Sequence, residues 1–173
     1  MNGIRRKVFI SYHHKDQDEV EEFVDNFGDV FITRALGLEM TQEIINSTDT
    51  DYVMRKIREL YLTDSTVTIV MIGKCTWSRR YVDWEIQASL RHGDIVTPNG
   101  LLGIVLPSAN SNPIPPERLE RNLGEDNYAN WYWYPKLKSI LAREIEEAFQ
   151  NRTKRAHTIV NPRERFKYSK TCP

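Results

Sequence analysis

The stretch Thr66-Val67-Thr68-Ile69-Val70-Met71-Ile72-Gly73 constrains the fold more than any other part of the chain. Its apolar residues run on with little polar alternation, the pattern of a parallel strand covered on both faces. Such a strand needs helices above and below it, and its flanks supply them. Val53, Ile57, Leu60 and Tyr61 share one face of a helix predicted over about 51–62, with Thr50 placed to cap it. Gly73 gives the backbone room to turn. Beyond it, Thr76 or Ser78 can cap a second helix that runs to about His92 with Val82, Ile86 and Leu90 facing inward. A strand set between two amphipathic helices is the repeating unit of an α/β sheet with right-handed crossovers.

The rest of the chain continues that alternation. Residues 8–11 are short, β-branched and apolar, as suits a central strand. Val20, Phe23, Val24 and Phe27 fall at i, i+3, i+4 and i+7 and mark a helix over 16–27. Asp16, Asp18 and Glu19 crowd its first turn, where the helix dipole favours negative charge, and Gly28 ends it. A second strand is expected over 30–33, and residues 34–50 show no clear pattern. A fourth strand over 101–106 stops at Pro107, and 108–116 reads as a loop rich in Pro, Asn and Ser. The alternating aromatics of 128–134 suit an edge strand. Leu137, Ile140, Leu141, Ile145, Ala148 and Phe149 describe a final amphipathic helix. One α/β domain over 1–150 is therefore expected, followed by a basic C-terminal tail over 151–173, either a packed extension or a loosely held arm.

A chain of 173 residues can bury a real core as one domain. Its 24 basic and 24 acidic side chains cancel, so no global charge draws it to nucleic acid or an anionic membrane. The longest apolar run is far too short to span a bilayer, and no adequate apolar stretch or small-residue cleavage site follows the basic residues Arg5, Arg6 and Lys7, so no leader peptide is expected. Cys75 and Cys172 lack metal-ligand spacing. A reducing cytoplasm is expected, which would make the sequons at Asn46 and Asn151 incidental.

In an open parallel sheet, ligands bind beyond the carboxyl ends of the strands. Two polar turns meet that description: Ser11-Tyr12-His13-His14 after the first strand, and the run from Gly73 to Glu85 after the third. Glu85 follows Tyr81 by four residues, so the two share a helical face. A carboxylate beside aromatics suits ribose hydroxyls and a flat cationic ring; the alternative is a surface carboxylate paired with Arg80 or Arg91. His13 could hydrogen-bond a phosphate or ribose and titrate near neutrality, or be ordinary turn polarity. Cys75 is either a nucleophile with no evident base or a half-buried structural thiol. No metal site is indicated. Neither G-x-G-x-x-G nor G-x-x-x-x-G-K-[ST] occurs, so any nucleotide is held in some other way.

Val8-Phe9-Ile10-Ser11-Tyr12 resembles the first strand of TIR domains. The ordered run Tyr52-Val53-Met54-Arg55-Lys56-Ile57-Arg58, then Asp64 through Gly73, Thr76, and Tyr81-Val82-Asp83-Trp84-Glu85-Ile86 is similar to the TIR-like branch of the bacterial Thoeris anti-phage system. The likeness spans roughly 7–106. It implies a flavodoxin-like, three-layer sandwich with a mostly parallel central sheet, and an enzyme that consumes NAD as substrate with no further cofactor. It implies Glu85 as the catalytic glutamate on the helix after the third strand. That enzyme would cleave the nicotinamide–ribose bond and close ADP-ribose into a cyclic isomer. The messenger would activate a separate NAD-degrading effector after a phage-derived trigger. Ser11, Tyr12, His13, Cys75, Trp77, Tyr81 and Trp84 are the expected substrate contacts. Many TIR domains carry tryptophan where this chain has Tyr81, so stacking is kept while the ring's placement changes. The competing expectation is a non-catalytic TIR-like interaction module. A phosphate-accepting receiver is the weakest, since no acceptor aspartate ends the first strand.

Overall fold

Alternate side chains of a strand point to opposite faces of its sheet, and here that alternation sorts the core into two layers. The computed structural model describes residues 3–36, 46–109 and 111–173. In chain order they form β1 (Lys7–Ser11), α1 (Gln17–Phe27), β2 (Ile32–Leu36), α2 (Thr50–Ile57), β3 (Val67–Ile72), α3 (Arg80–Leu90), β4 (Gly100–Val105), the short α4 (Glu117–Glu120), β5 (Asn130–Trp133) and α5 (Lys138–Lys154). The strands pair in parallel in the order β2-β1-β3-β4-β5. This is the flavodoxin-like order. Val8, Ile10, Val67, Ile69, Met71, Leu102 and Ile104 meet α1 and α5 on one face. Phe9, Val70, Ile72 and Leu101 meet α2 and α3 on the other. The α/β three-layer sandwich with a parallel centre is thus the observed architecture.

Boundaries moved where a cap or a tertiary contact outweighed local pattern. The second strand lies at Ile32–Leu36 rather than 30–33, because Phe31 turns into the core and Val30 packs against it. Asp49, not Thr50, caps α2, its Oδ1 accepting from the backbone N–H groups of Asp51 and Tyr52 at 3.1 and 3.2 Å. Thr76 and Ser78 do not cap α3. Thr76 Oγ1 accepts from Gly73 N at 2.8 Å, and the Ser78 hydroxyl donates to Cys75 O at 2.7 Å, which folds residues 73–78 into a tight turn before the helix.

The basic tail is a packed extension. It crosses the outer side of α3, where Gln87 Nε2 donates to the carbonyls of Pro162 and Arg163 and Trp84 Nε1 donates to Phe166 O at 2.7 Å. The Lys170 amide donates to Ser78 O at 2.7 Å.

Where β4 starts, α5 presses on backbone. A Cβ built on Gly100 would overlap the Ala148 carbonyl, so the helix can sit this close only over a glycine. Gly100→Ala is expected to cost about 1–3 kcal/mol by overpacking, read as a lower midpoint in urea unfolding.

Candidate functional site

The chain leaves β1 toward β2 on one side, and β3 lies on the other, so the strand order reverses between β1 and β3. Crevices at such reversals are the usual ligand sites of this architecture. Ser11 ends β1 there, pairs in register with Val70 and is wholly buried. Helix α3 brings Glu85 to the same place. Its Val82, Ile86 and Leu90 pack over β3 and β4, while Trp84 and Ala88 pack against Phe9 and α2. Glu85 lies between those two apolar stripes with 3% of its surface exposed. Ser89, one turn on, bonds Thr68 Oγ1 at 2.8 Å, which in turn accepts from Asn99 Nδ2. A polar seam therefore runs beneath the helix, with Glu85 at one end.

Burial holds the Glu85 carboxyl well above the usual carboxylate range; the nearby Ser11 hydroxyl is what opposes the rise. That hydroxyl is close enough to favour the charged form, yet it completes no well-aligned hydrogen bond to the protein. The Tyr12 phenol is raised by burial, then by Glu21 and by Glu85. Three groups named from sequence, Ser11, Tyr12 and Glu85, thus converge.

His13 corrects the expectation of a group that titrates near neutrality. Burial, then the charges of His14, Arg79 and Lys15, push it down to about 4, so its ring is neutral at physiological pH. Its Nδ1 accepts from the Lys15 amide at 3.1 Å, which leaves Nε2 to carry the proton as a donor. The ring stacks on His14 at 4.4 Å between centroids.

Asp16 does more than place negative charge at the start of a helix. Its Oδ2 is buried without a hydrogen-bond partner, and a Cβ on Gly73 would collide with it. Burial and Glu19 raise its carboxyl to about 6. A glycine across from a buried acid is a tertiary relation that spacing along the chain does not display.

The other residues named from sequence divide. Trp77 remains near the sheet edge, its indole donating to Lys74 O at 3.2 Å, and it lines a cavity of about 390 Å³ with Gly73, Lys74, Pro113, Ile114 and Cys172. Trp84 instead belongs to the α2–α3 core, 2% exposed, with its N–H taken by the tail. Tyr81 meets Trp84 edge to face at 6.3 Å, and the guanidinium groups of Arg79 and Arg80 lie 4.9 and 5.2 Å from its ring. Trp84 and its neighbour Arg80 face a separate basic cavity beside the tail.

Cys75 is neither nucleophile nor free structural thiol, because it forms a disulfide with Cys172, 97 residues away. That pairing removes cysteine usage as an argument for a reducing compartment. Cys172→Ser is expected to cost about 2 kcal/mol, the low end for so long a loop because the tail has other anchors. Reductant should bring the wild type down to the variant's midpoint; a wild type indifferent to reductant would show the bond absent in solution.

Fold and site together define a TIR-like α/β domain. Residues 9–111, well over half of the chain, match the family described as Thoeris protein ThsB, TIR-like domain, and the chain belongs to that family. It is accordingly a TIR-like module of a defence system. No curated protein matches it significantly. Among the described residues, no helix is long and apolar enough to cross a membrane.

Proposed function

We propose that this chain is an NAD-consuming enzyme of anti-phage defence. It cleaves the nicotinamide–ribose bond, closes the ADP-ribose into a cyclic isomer and releases it as a messenger for a separate effector. The observation that carries this reading is Glu85, a buried carboxyl group placed beside Ser11 at the reversal of strand order in a Thoeris TIR-like fold.

Loss of nicotinamide builds positive charge on the ribose, as in glycoside hydrolysis through an oxocarbenium-like state. A carboxylate about 4 Å from that charge contributes roughly 4 kcal/mol at an effective dielectric near 20, or about a thousandfold in rate. The raised pKa suits the task. Without a ligand, burial favours the neutral form, and the cationic nicotinamide ring favours the ionised one on arrival. Ser11 and the Nε2 proton of His13 are donors for ribose or pyrophosphate oxygens. Tyr12, Tyr81 and Trp77 keep water from the sugar, so that a hydroxyl of the same molecule attacks the anomeric carbon. Cys75, bound in its disulfide, shapes the turn rather than touching substrate.

The purified protein, activated by a phage lysate and given NAD, should yield nicotinamide and a product with the mass of ADP-ribose less one water. ADP-ribose alone would replace cyclisation with hydrolysis, and no turnover in any activated preparation would defeat the enzymatic reading. One observation favours the interaction-module reading: Glu85 is almost wholly enclosed. A thermal shift with NAD separates the two, because a module with a vestigial pocket gives none.

A further inference from the structure

Strand β5 closes one side of the sheet, with β4 between it and β3, and beyond the Leu123–Ala129 bridge at its start its outer edge is unpaired among the described residues. Unpaired edges are templates for another strand and are commonly blunted by charge or proline. Here Trp131 and Trp133 stand on the exposed face, the latter 65% exposed. Beside them opens a cavity of about 430 Å³ lined by Trp131, Trp133, Tyr134, Pro135, Ile140 and Glu144. Glu144 is only 7% exposed, and its Oε2 has no hydrogen-bond partner. Its neighbour Glu147, one turn on, is engaged by Asn130 and Tyr132. Lys136 on the rim and Arg143 on the helix are both exposed.

A buried carboxyl oxygen left without a partner costs stability. Aromatic faces around a lone buried carboxyl form a site for an organic cation. A guanidinium suits it better than an ammonium, since it stacks flat on rings while giving two parallel N–H donors to one carboxylate. The free edge adds backbone donors and acceptors for the chain that would carry such a side chain. We propose that this cavity binds the arginine side chain of an extended segment of a partner protein, paired along the outer edge of β5, with Glu144 as counter-ion. Burial raises the Glu144 carboxyl to about 7, with Arg143 opposing the rise and Glu147 adding to it, and an entering guanidinium reverses that shift.

The probe is a blocked pentapeptide, Thr-Val-Arg-Val-Thr, titrated against the intact protein by tryptophan fluorescence and calorimetry, with its citrulline analogue as the uncharged control. The arginine peptide should bind at least about tenfold more tightly than the citrulline one, and Glu144→Gln should erase that difference. Trp133→Ala, which leaves the core untouched, should weaken the arginine peptide by about tenfold and covers the case in which the Glu144 variant folds poorly. Equal binding of the two peptides, or an unaffected Glu144→Gln, overturns the site. N-acetylarginine amide binding as tightly as the peptide overturns the strand pairing and leaves a small-cation pocket. A concentration-dependent dimer that excludes the peptide overturns the foreign partner in favour of a second copy.

Discussion

Glu85→Gln is expected to slow nicotinamide release by about a thousandfold, and above the unfolded-state carboxylate pKa to leave the protein harder to unfold than the wild type. The first effect follows from removing a negative charge that acts only as the ribose becomes cationic. The second follows from burial. Glu85 has a folded-state pKa raised well above its unfolded value. Between those two values the unfolded chain has already lost a proton that the folded one keeps, so stability falls as pH rises. The slope is about 1.4 kcal/mol per pH unit within that window and vanishes below the unfolded pKa. Glutamine has no such proton. The variant should therefore match the wild type more nearly close to the unfolded pKa and exceed it increasingly as the pH is raised above that, in urea titrations at each pH. Asp16 and Glu144 are also raised, but they are common to both proteins and cancel in the difference. A folded variant that still releases nicotinamide at the wild-type rate takes Glu85 out of the chemistry. A stability gap that does not widen with pH means that the carboxyl group is already solvated in the resting protein.

Sheet and helices were readable because their signals are local. The continuous apolar run of β3 and the i, i+3, i+4, i+7 spacing of α1 report burial on two faces and on one. For Glu85 the same logic goes only part of the way: Val82 and Ile86 predict a place at the core boundary, whereas Trp84 and Ala88 add a second apolar stripe that encloses it. What escaped depends on partners far along the chain. Trp84 looks like a pocket wall beside Glu85 until Phe166, in a tail with few apolar residues, is seen to accept its N–H. His13 carries an ordinary turn signature, and only packing reveals that its charge is suppressed. The disulfide joins two cysteines that share no recognisable spacing. The setting of the tail was illegible for the same reason: a run of arginines looks alike whether it is solvated or, as Arg163 and Arg165 are, held by Asp51, Thr50 and the Ser47 carbonyl.

Arg118→Ala is expected to cost about 3–5 kcal/mol, the largest single loss of stability among the variants considered, and to free the tail from α3. Arg118 sits on the short α4, and its side chain and that of Asp83 are each 5% exposed. Its Nε donates to Asp83 Oδ1 at 2.9 Å, and its two terminal nitrogens reach Asn161 Oδ1 and the carbonyls of Pro162 and Glu164. Asp83 Oδ2 accepts in turn from the Phe166 amide at 3.0 Å. Removing the guanidinium strands a buried carboxylate on the helix that carries Glu85 and takes the donors from three tail acceptors at once. Asp83→Asn should cost less, because the guanidinium it deprives of a counter-ion still donates to Asn161 Oδ1 and to the carbonyls of Pro162 and Glu164. The two substitutions should be non-additive, since they break one network. Beyond Phe166 the chain is held again by the Cys75–Cys172 bond, so in oxidised Arg118→Ala the tail opens as a loop, and after reduction as a free end. Hydrogen exchange separates those states: the Phe166 amide should lose protection in both, and the Lys170 amide mainly after reduction. Full protection of Phe166 in Arg118→Ala would show that the tail is seated by its other contacts and that the arginine only follows it. If protection is lost, the fit of Trp84 under the tail, and with it the setting of Glu85 one residue on, depends on a guanidinium that approaches α3 from outside the sheet.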